Sequence, residues 1–245
     1  MIVAAVVVVF AGVAYGLAGC GFVMVSVPPL LLLFSPQTAV TVGILLSMLT
    51  GWMILPGAWR ETRIGTVLAL LPGALLGIGL GVALLGILDA DSVKLLTSVV
   101  VTAFAAAMIR GWTPTGLDSR FAPGAAGAVS GALGAMTGMN GPPVVLLFVA
   151  RGYEVQAFRA SLVTYFLLVN VVAISARAWA GETGWDDVRT ALTLRRAAVI
   201  GTTIGRRLAH RVPIVAFRRL VLLMVLVAGL VGVASALRSM AASMA

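Results

Sequence analysis

Two stretches of this sequence combine bare backbone with short polar side chains, a pattern suited to holding an anion. The first is GVAYGLAGCGFVMVSVPPLLLLF, Gly12 to Phe34, and the second is GAVSGALGAMTGMNGPPVVLLF, Gly127 to Phe148. Each opens on glycines spaced G-x-x-x-G-x-x-G, at Gly12, Gly16 and Gly19 and at Gly127, Gly131 and Gly134. Each closes on a double proline, Pro28-Pro29 and Pro142-Pro143. An apolar helix that stops at glycines and restarts at proline is a broken helix. Proline is favoured at the first helical position, and a helix start offers free N–H groups with roughly half a positive charge. The candidates for anion contact are therefore Gly19, Gly21, Ser26 and Pro28 in the first stretch, and Thr137, Gly138, Asn140, Gly141 and Pro142 in the second. Ser26, Thr137 and Asn140 would supply side-chain hydrogen bonds, or would only cap the restarting helix. The prolines could equally kink an ordinary span whose glycines serve close packing.

Arg195 and Arg196 add a second chemistry. They lie inside an otherwise apolar segment, about 10 Å deep at about 1.5 Å per residue, where a charge is expensive. One of them would offer a planar fork to an anion; the alternative is that the helix starts late and both reach back to the headgroups. Adjacent residues point about 100° apart on a helix, so one of the pair at most should face a core. Thr50 and Asn170 occupy matched positions in matched spans and read as interhelical hydrogen bonds or as path lining. The single cysteine, Cys20, excludes an internal disulfide and a cysteine-based metal site. It reads as a small apolar filler, or as a thiol in a membrane sulfur relay.

The elements that position these residues must lie in a bilayer. The chain has 245 residues, 61% of them apolar and 10% charged, with a mean hydropathy of +1.11. Charge-free windows run from Met1 to Trp59 and from Ile64 to Leu88, and a membrane helix needs about 20 apolar residues. The net charge of +9 does not point to nucleic acid, because the basic residues sit mostly in short loops where cytoplasmic positive charge belongs. The expected order is a broken unit (Ile2 to Gly19, Pro28 to Phe34) and spans Thr38–Leu55, Ile64–Leu88 and Ser92–Ile109. A second broken unit (Gly124 to Met136, Pro142 to Ala150) and spans Ala157–Trp179, Val188–Ala209 and Val215–Leu237 follow.

This order repeats. Gly77 and Gly81 recur as Gly201 and Gly205, and Val93-Lys94-Leu95-Leu96 as Phe217-Arg218-Arg219-Leu220. The halves are 1–115 and 116–245. Their matching loops carry opposite charge: Arg60-Glu61-Thr62-Arg63 against Glu182, Asp186 and Asp187, then Asp89 and Asp91 against Arg206, Arg207 and Arg211. Opposite loop charge predicts opposite orientation. The fold class expected is an all-α polytopic membrane protein of two inverted repeats, each a broken or re-entrant unit plus three full spans, with both termini outside. Paired helix breaks in such repeats mark a transporter's binding site near the midplane. Every Asp and Glu falls in a loop, and no Walker motif or nucleophile–base pair occurs in the apolar segments, so neither an enzyme nor a pump is expected, and no cofactor.

Gly16-Leu17-Ala18-Gly19-Cys20-Gly21-Phe22 through Val27-Pro28, and Gly138-Met139-Asn140-Gly141-Pro142-Pro143-Val144-Val145-Leu146, resemble the two half-signatures of the TauE/SafE sulfite-exporter family. The likeness extends over essentially the whole chain. Cys20 and Phe22 interrupt the run of three glycines usual in that family, and Arg195-Arg196 stand where an apolar stretch is expected. The resemblance implies an inner-membrane permease for sulfite, an organosulfonate or another small organic anion such as a carboxylate, often working as an exporter. Its expected partners are that small anion and membrane lipid, with a homodimer as a further expectation and no nucleic acid.

Overall fold

The computed structural model describes residues 1–30, 33–85, 95, 99, 102–103, 106–107, 109–111, 116–137, 140–179, 183–209 and 213–243. Among them the regular structure is helical. The helices are α1 (Ile2–Ala18), α2 (Phe22–Leu30), α3 (Pro36–Ala58), α4 (Ile64–Leu85), α5 (Ala122–Thr137), α6 (Gly141–Ala150), α7 (Val155–Trp179), α8 (Trp185–Ala209) and α9 (Ile214–Ser243), with a 3-10 turn at Trp59–Glu61 between α3 and α4. The expected span Ser92–Ile109 lies largely outside the described residues.

Local chemistry accounts for the boundaries. Ser35 caps α3 by accepting the Thr38 N–H at 3.3 Å, with Pro36 in the first turn. α8 starts at Trp185, three residues before the expected Val188, because the Asp187 carboxylate accepts the Gly184 N–H at 2.9 Å. That acid also sits at the positive end of the helix. Three segments are long and apolar enough to cross a membrane among the described residues: Thr38–Glu61, Ile64–Gly81 and Val155–Trp179. α8 has the length, but it carries Asp186, Asp187, Arg189, Arg195, Arg196, Arg206 and Arg207. α9 contains a shorter apolar stretch, Gly229–Arg238.

The described chain forms two compact units, and these are not the two sequence halves. One comprises Met1–Ile64 with Val155–Pro213, the other Gly65–Glu154 with Ile214–Ala245. Each therefore draws helices from both halves. In the first unit the core is built by Ala4, Val8, Ala11 and Tyr15 of α1 with Phe22 and Leu30 of α2, Val42 and Leu46 of α3, Val163 and Leu167 of α7, and Leu194 and Ala198 of α8.

Glycines set the closest approach in that unit. A Cβ added at Gly12 would lie 2.9 Å from the Ala198 carbonyl oxygen and the Thr202 nitrogen. One at Gly16 would overlap the Thr202 carbonyl, and in return Gly201 lies against the Val9 carbonyl and Gly205 against the Val13 carbonyl. α1 and α8 thus touch backbone to backbone, as small residues at four-residue spacing permit. The second unit contains the same seam between α4 and α5. Gly127 lies against the Leu70 carbonyl and the Ala74 nitrogen, Gly131 against the Ala74 carbonyl, Gly73 against Gly124 and Gly77 against Ala128.

By their contacts Gly12 is placed like Gly127 and Gly16 like Gly131. The same contacts match Gly73 with Gly201 and Gly77 with Gly205, one helical turn from the expected pairing of Gly77 with Gly201. By this register Arg196 corresponds to Leu68, which is exposed.

Candidate functional site

The first break lies in the first unit. α1 ends at Ala18, and Gly19 caps it in the left-handed region at φ 74°, its N–H returning to the Tyr15 carbonyl. Gly21 is also left-handed, at φ 90°. A side chain is disfavoured at either position. α2 then starts at once: the Val25 N–H donates to the Gly21 carbonyl at 2.8 Å. Pro28 is therefore not the first residue of the restarting helix, as its sequence context suggested. It lies in the closing part of α2, where two successive prolines remove N–H donors and the helix stops at Leu30. The glycines at 19 and 21 thus separate α1 from α2 by three residues, and α2 winds from Phe22. Ser26 is fully buried with an unpartnered hydroxyl. Cys20 is buried between the two glycines.

The second break, in the second unit, keeps proline in its expected place. α5 ends at Thr137 and α6 starts at Gly141 with Pro142 in its first turn. Gly138 lies outside the described residues. Asn140 precedes α6 without making a side-chain capping bond, so its amide is not used in the capping role. Its carbonyl accepts the Ser130 hydroxyl at 2.5 Å, and a Cβ at Gly134 would lie 2.9 Å from the Asn140 Cβ. α5 thus folds back directly onto the break. Gly141 and Pro142 are buried.

Arg195 and Arg196 are both exposed, on the face of α8 that also carries Leu192 and Ile200. Neither enters the core of the first unit, where Leu194 and Ala198 point instead. The cation buried among the described residues is Arg159, in the first turns of α7. It is 5% exposed. Its Nη2 donates to the Gly16 carbonyl in the last turn of α1, and its Nη1 to Gln156 Oε1 at 3.4 Å. A Cβ on Gly19 would lie 2.8 Å from the Arg159 Cα, so α7 passes directly against the break. The turn after α3 pins it there. Ser161 Oγ accepts the Arg63 N–H at 2.9 Å, and the Thr62 and Thr164 hydroxyls share a hydrogen bond at 3.3 Å.

Arg206 enters from α8, its Nη1 donating to the Met53 carbonyl at 3.1 Å. One sequence signal did mark Arg159: a lone charge in the run Ala157-Phe158-Arg159-Ala160-Ser161-Leu162, with the apolar pair Ala39-Val40 near its place in the first half.

The remaining polar positions are structural in form. Thr50 bonds back to the Leu46 carbonyl at 2.8 Å, and Asn170 Nδ2 reaches Ser47 Oγ at 3.5 Å between α7 and α3. Trp52, Trp59, Trp179 and Trp185 are exposed, as interfacial anchors would be.

The family model described as "Sulfite exporter TauE/SafE" matches residues 4–232. The chain is 28% identical over 185 residues to the probable inner membrane transporter protein TsaS of Comamonas testosteroni, covering 70% of this chain and 73% of that one. It is 26% identical over 196 residues to the probable sulfite/organosulfonate exporter TauE of Cupriavidus necator, covering 77% and 75% respectively. No solved structure matches the chain.

Proposed function

This chain belongs to the sulfite exporter TauE/SafE family, and from that membership and its two helix breaks we propose that it carries a small sulfur oxyanion, sulfite or an organosulfonate, out across the inner membrane. The observation that carries the reading is the recurrence of one construction in both units. A glycine-seamed helix gives way to a second helix in each, at Gly19–Gly21 between α1 and α2 and ahead of Gly141 between α5 and α6. Broken apolar helices are tolerated in a bilayer where protein or ligand satisfies the freed backbone groups.

The anion binds at the breaks, at Gly19, Gly21 and Ser26 in one and at Thr137, Gly138, Asn140, Gly141 and Pro142 in the other. The 17 residues of α1 rise about 25 Å, most of a bilayer's hydrocarbon core, which supports a first break nearer one face than the midplane. The two halves are inverted repeats with both termini outside. The repeated seam and the opposite charges of Arg60–Arg63 and Asp186–Asp187 support this arrangement. Arg195 and Arg196 serve the headgroup region, in keeping with their exposure.

Export needs no coupled pump on this reading, because an anion leaving a negative interior gains about 2.3 kcal/mol per charge per 100 mV. The test is efflux of sulfite, short sulfonates and short carboxylates from proteoliposomes. Saturable efflux of the sulfur oxyanions above protein-free vesicles is the expected result. Efflux of carboxylates alone would replace the substrate class, and efflux of none would remove the carrier reading.

A further inference from the structure

The Arg159 guanidinium is a buried charge whose donors are incompletely used. Its Nε has no hydrogen-bond partner and no solvent exposure. Among the described residues no carboxylate pairs with it; Asp186 of α8 pairs instead with Arg189 at the surface. A second cation of the same unit, Arg206 of α8, likewise ends on a backbone carbonyl, that of Met53. The carbonyl of Gly16 partly offsets the Arg159 charge as one of the free acceptors at the negative end of α1. A neutral carbonyl does not neutralise a cation, and buried charges in proteins are ordinarily paired.

Other unpartnered donors belong to the same unit. Gly19 leaves the backbone bare beside Arg159, and after Gly21 the nine-residue α2 begins, its first N–H groups unpaired within the helix. One turn along α2 the Ser26 hydroxyl is buried without a partner, and on α8 the Thr202 hydroxyl is likewise buried and unpartnered. The Thr202 backbone packs against Gly16, whose carbonyl holds the guanidinium.

We propose that Arg159, aligned by the Gly16 carbonyl and Gln156 at the α1–α2 break, is an anion-binding residue whose free Nε–H takes an oxygen of a sulfur oxyanion. This assignment rests on the transport reading for its ligand class, and its position in the first unit makes that break the charged one. Guanidinium donors in a fixed plane suit an oxyanion better than the point charge of lysine.

The experiment measures thermal unfolding of the detergent-purified full chain against sulfite and methanesulfonate, with chloride at equal ionic strength as reference. The proteins are wild type, Arg159→Gln, Arg159→Lys and the surface control Arg189→Gln. Wild type and Arg189→Gln should gain a saturable rise in melting temperature. Arg159→Lys should need about tenfold more anion for the same rise, and Arg159→Gln should show none. Should Arg159→Gln fail to fold, the lysine variant alone decides. A rise in either Arg159 variant at wild-type concentrations makes the residue only a cap for α1, and absence of any rise in wild type removes the site. The same proteins in proteoliposomes separate the two readings. Efflux that is normal in Arg159→Lys overturns this inference and leaves transport standing. Arg159-dependent anion binding without efflux by wild type leaves the site standing and overturns transport.

Discussion

At Gly19 three constraints meet in one residue: a left-handed backbone at φ 74°, an N–H returned to Tyr15, and the Arg159 backbone lying where a Cβ would go. Left-handed geometry alone costs a side-chain-bearing residue about 1–2 kcal/mol. Gly19→Ala should therefore lower the thermal midpoint in detergent more than the equally small change Gly65→Ala, where a Cβ meets nothing within 4 Å. Equal midpoints for the two variants would mean that the first break relaxes freely. In the second break the corresponding support is the Ser130 hydroxyl on the Asn140 carbonyl. Ser130→Ala leaves that carbonyl without its partner, at a cost of about 1–3 kcal/mol if no water replaces it, to be read as a drop in midpoint. These residues were only partly legible beforehand. Gly19 announced itself as one of two glycines framing Cys20. Arg159 was marked only as a lone charge in an apolar run, and a single arginine near the start of an apolar helix ordinarily reaches back to the headgroups; the packing of α7 against Gly16 and Gly19 buries it.

Helix existence and type could be read along much of the chain, because unbroken apolar runs in a membrane have few alternatives to helix. Register and restart points were less legible. Gly73, Gly77 and Gly81 recur at equal four-residue steps, so sliding the second half by one turn preserves the glycine pattern. Only the facing carbonyls of Gly124 and Ala128 select among the alternatives. Pro28 misled for a related reason: proline is compatible with a helix start and with a helix end, and here Gly21 had already begun α2. The α1–α8 seam makes a sharp test of element packing. Gly16→Leu must push the Thr202 carbonyl away, and overpacking of this kind costs about 1–3 kcal/mol or more. The change should lower both the folded yield and the melting temperature. Gly79→Leu, a larger side chain entering open space on α4, should do neither. On α8 the exposure of Arg195 and Arg196 predicts that Arg195→Gln and Arg196→Gln retain efflux within about twofold. A tenfold loss would bring one of them back into the anion's path.

At the scale of the whole molecule, the open property is the orientation of the halves, because the seam recurs within each unit but carries no direction relative to the bilayer. Charge does carry direction. Arg60 and Arg63 follow α3, whereas Asp186 and Asp187 follow α7, its counterpart in the proposed repeat. Basic loops are retained on the cytoplasmic side while acidic ones contribute little. If the halves are inverted, these two loops lie on opposite sides of the membrane; if they are parallel, on the same side. The single native thiol simplifies the measurement, since Cys20→Ala in a buried position gives a cysteine-free background at the cost of one small apolar group. Arg60→Cys and Gly184→Cys, both at exposed positions, should then differ in spheroplasts. A membrane-impermeant maleimide should label Gly184→Cys directly and Arg60→Cys only after permeabilisation. Labelling of both from the same side would give a parallel repeat, and the charge difference between the loops would then need another cause. The proposed uncoupled export has its own test, since a monovalent sulfonate would then distribute by potential alone, about fiftyfold at 100 mV from about 2.3 kcal/mol per charge. An imposed potassium diffusion potential across the same proteoliposomes should therefore accelerate sulfonate movement toward the positive side and slow it in the reverse direction. Rates indifferent to the potential would show that charge is compensated during transport by an ion the carrier moves with its substrate.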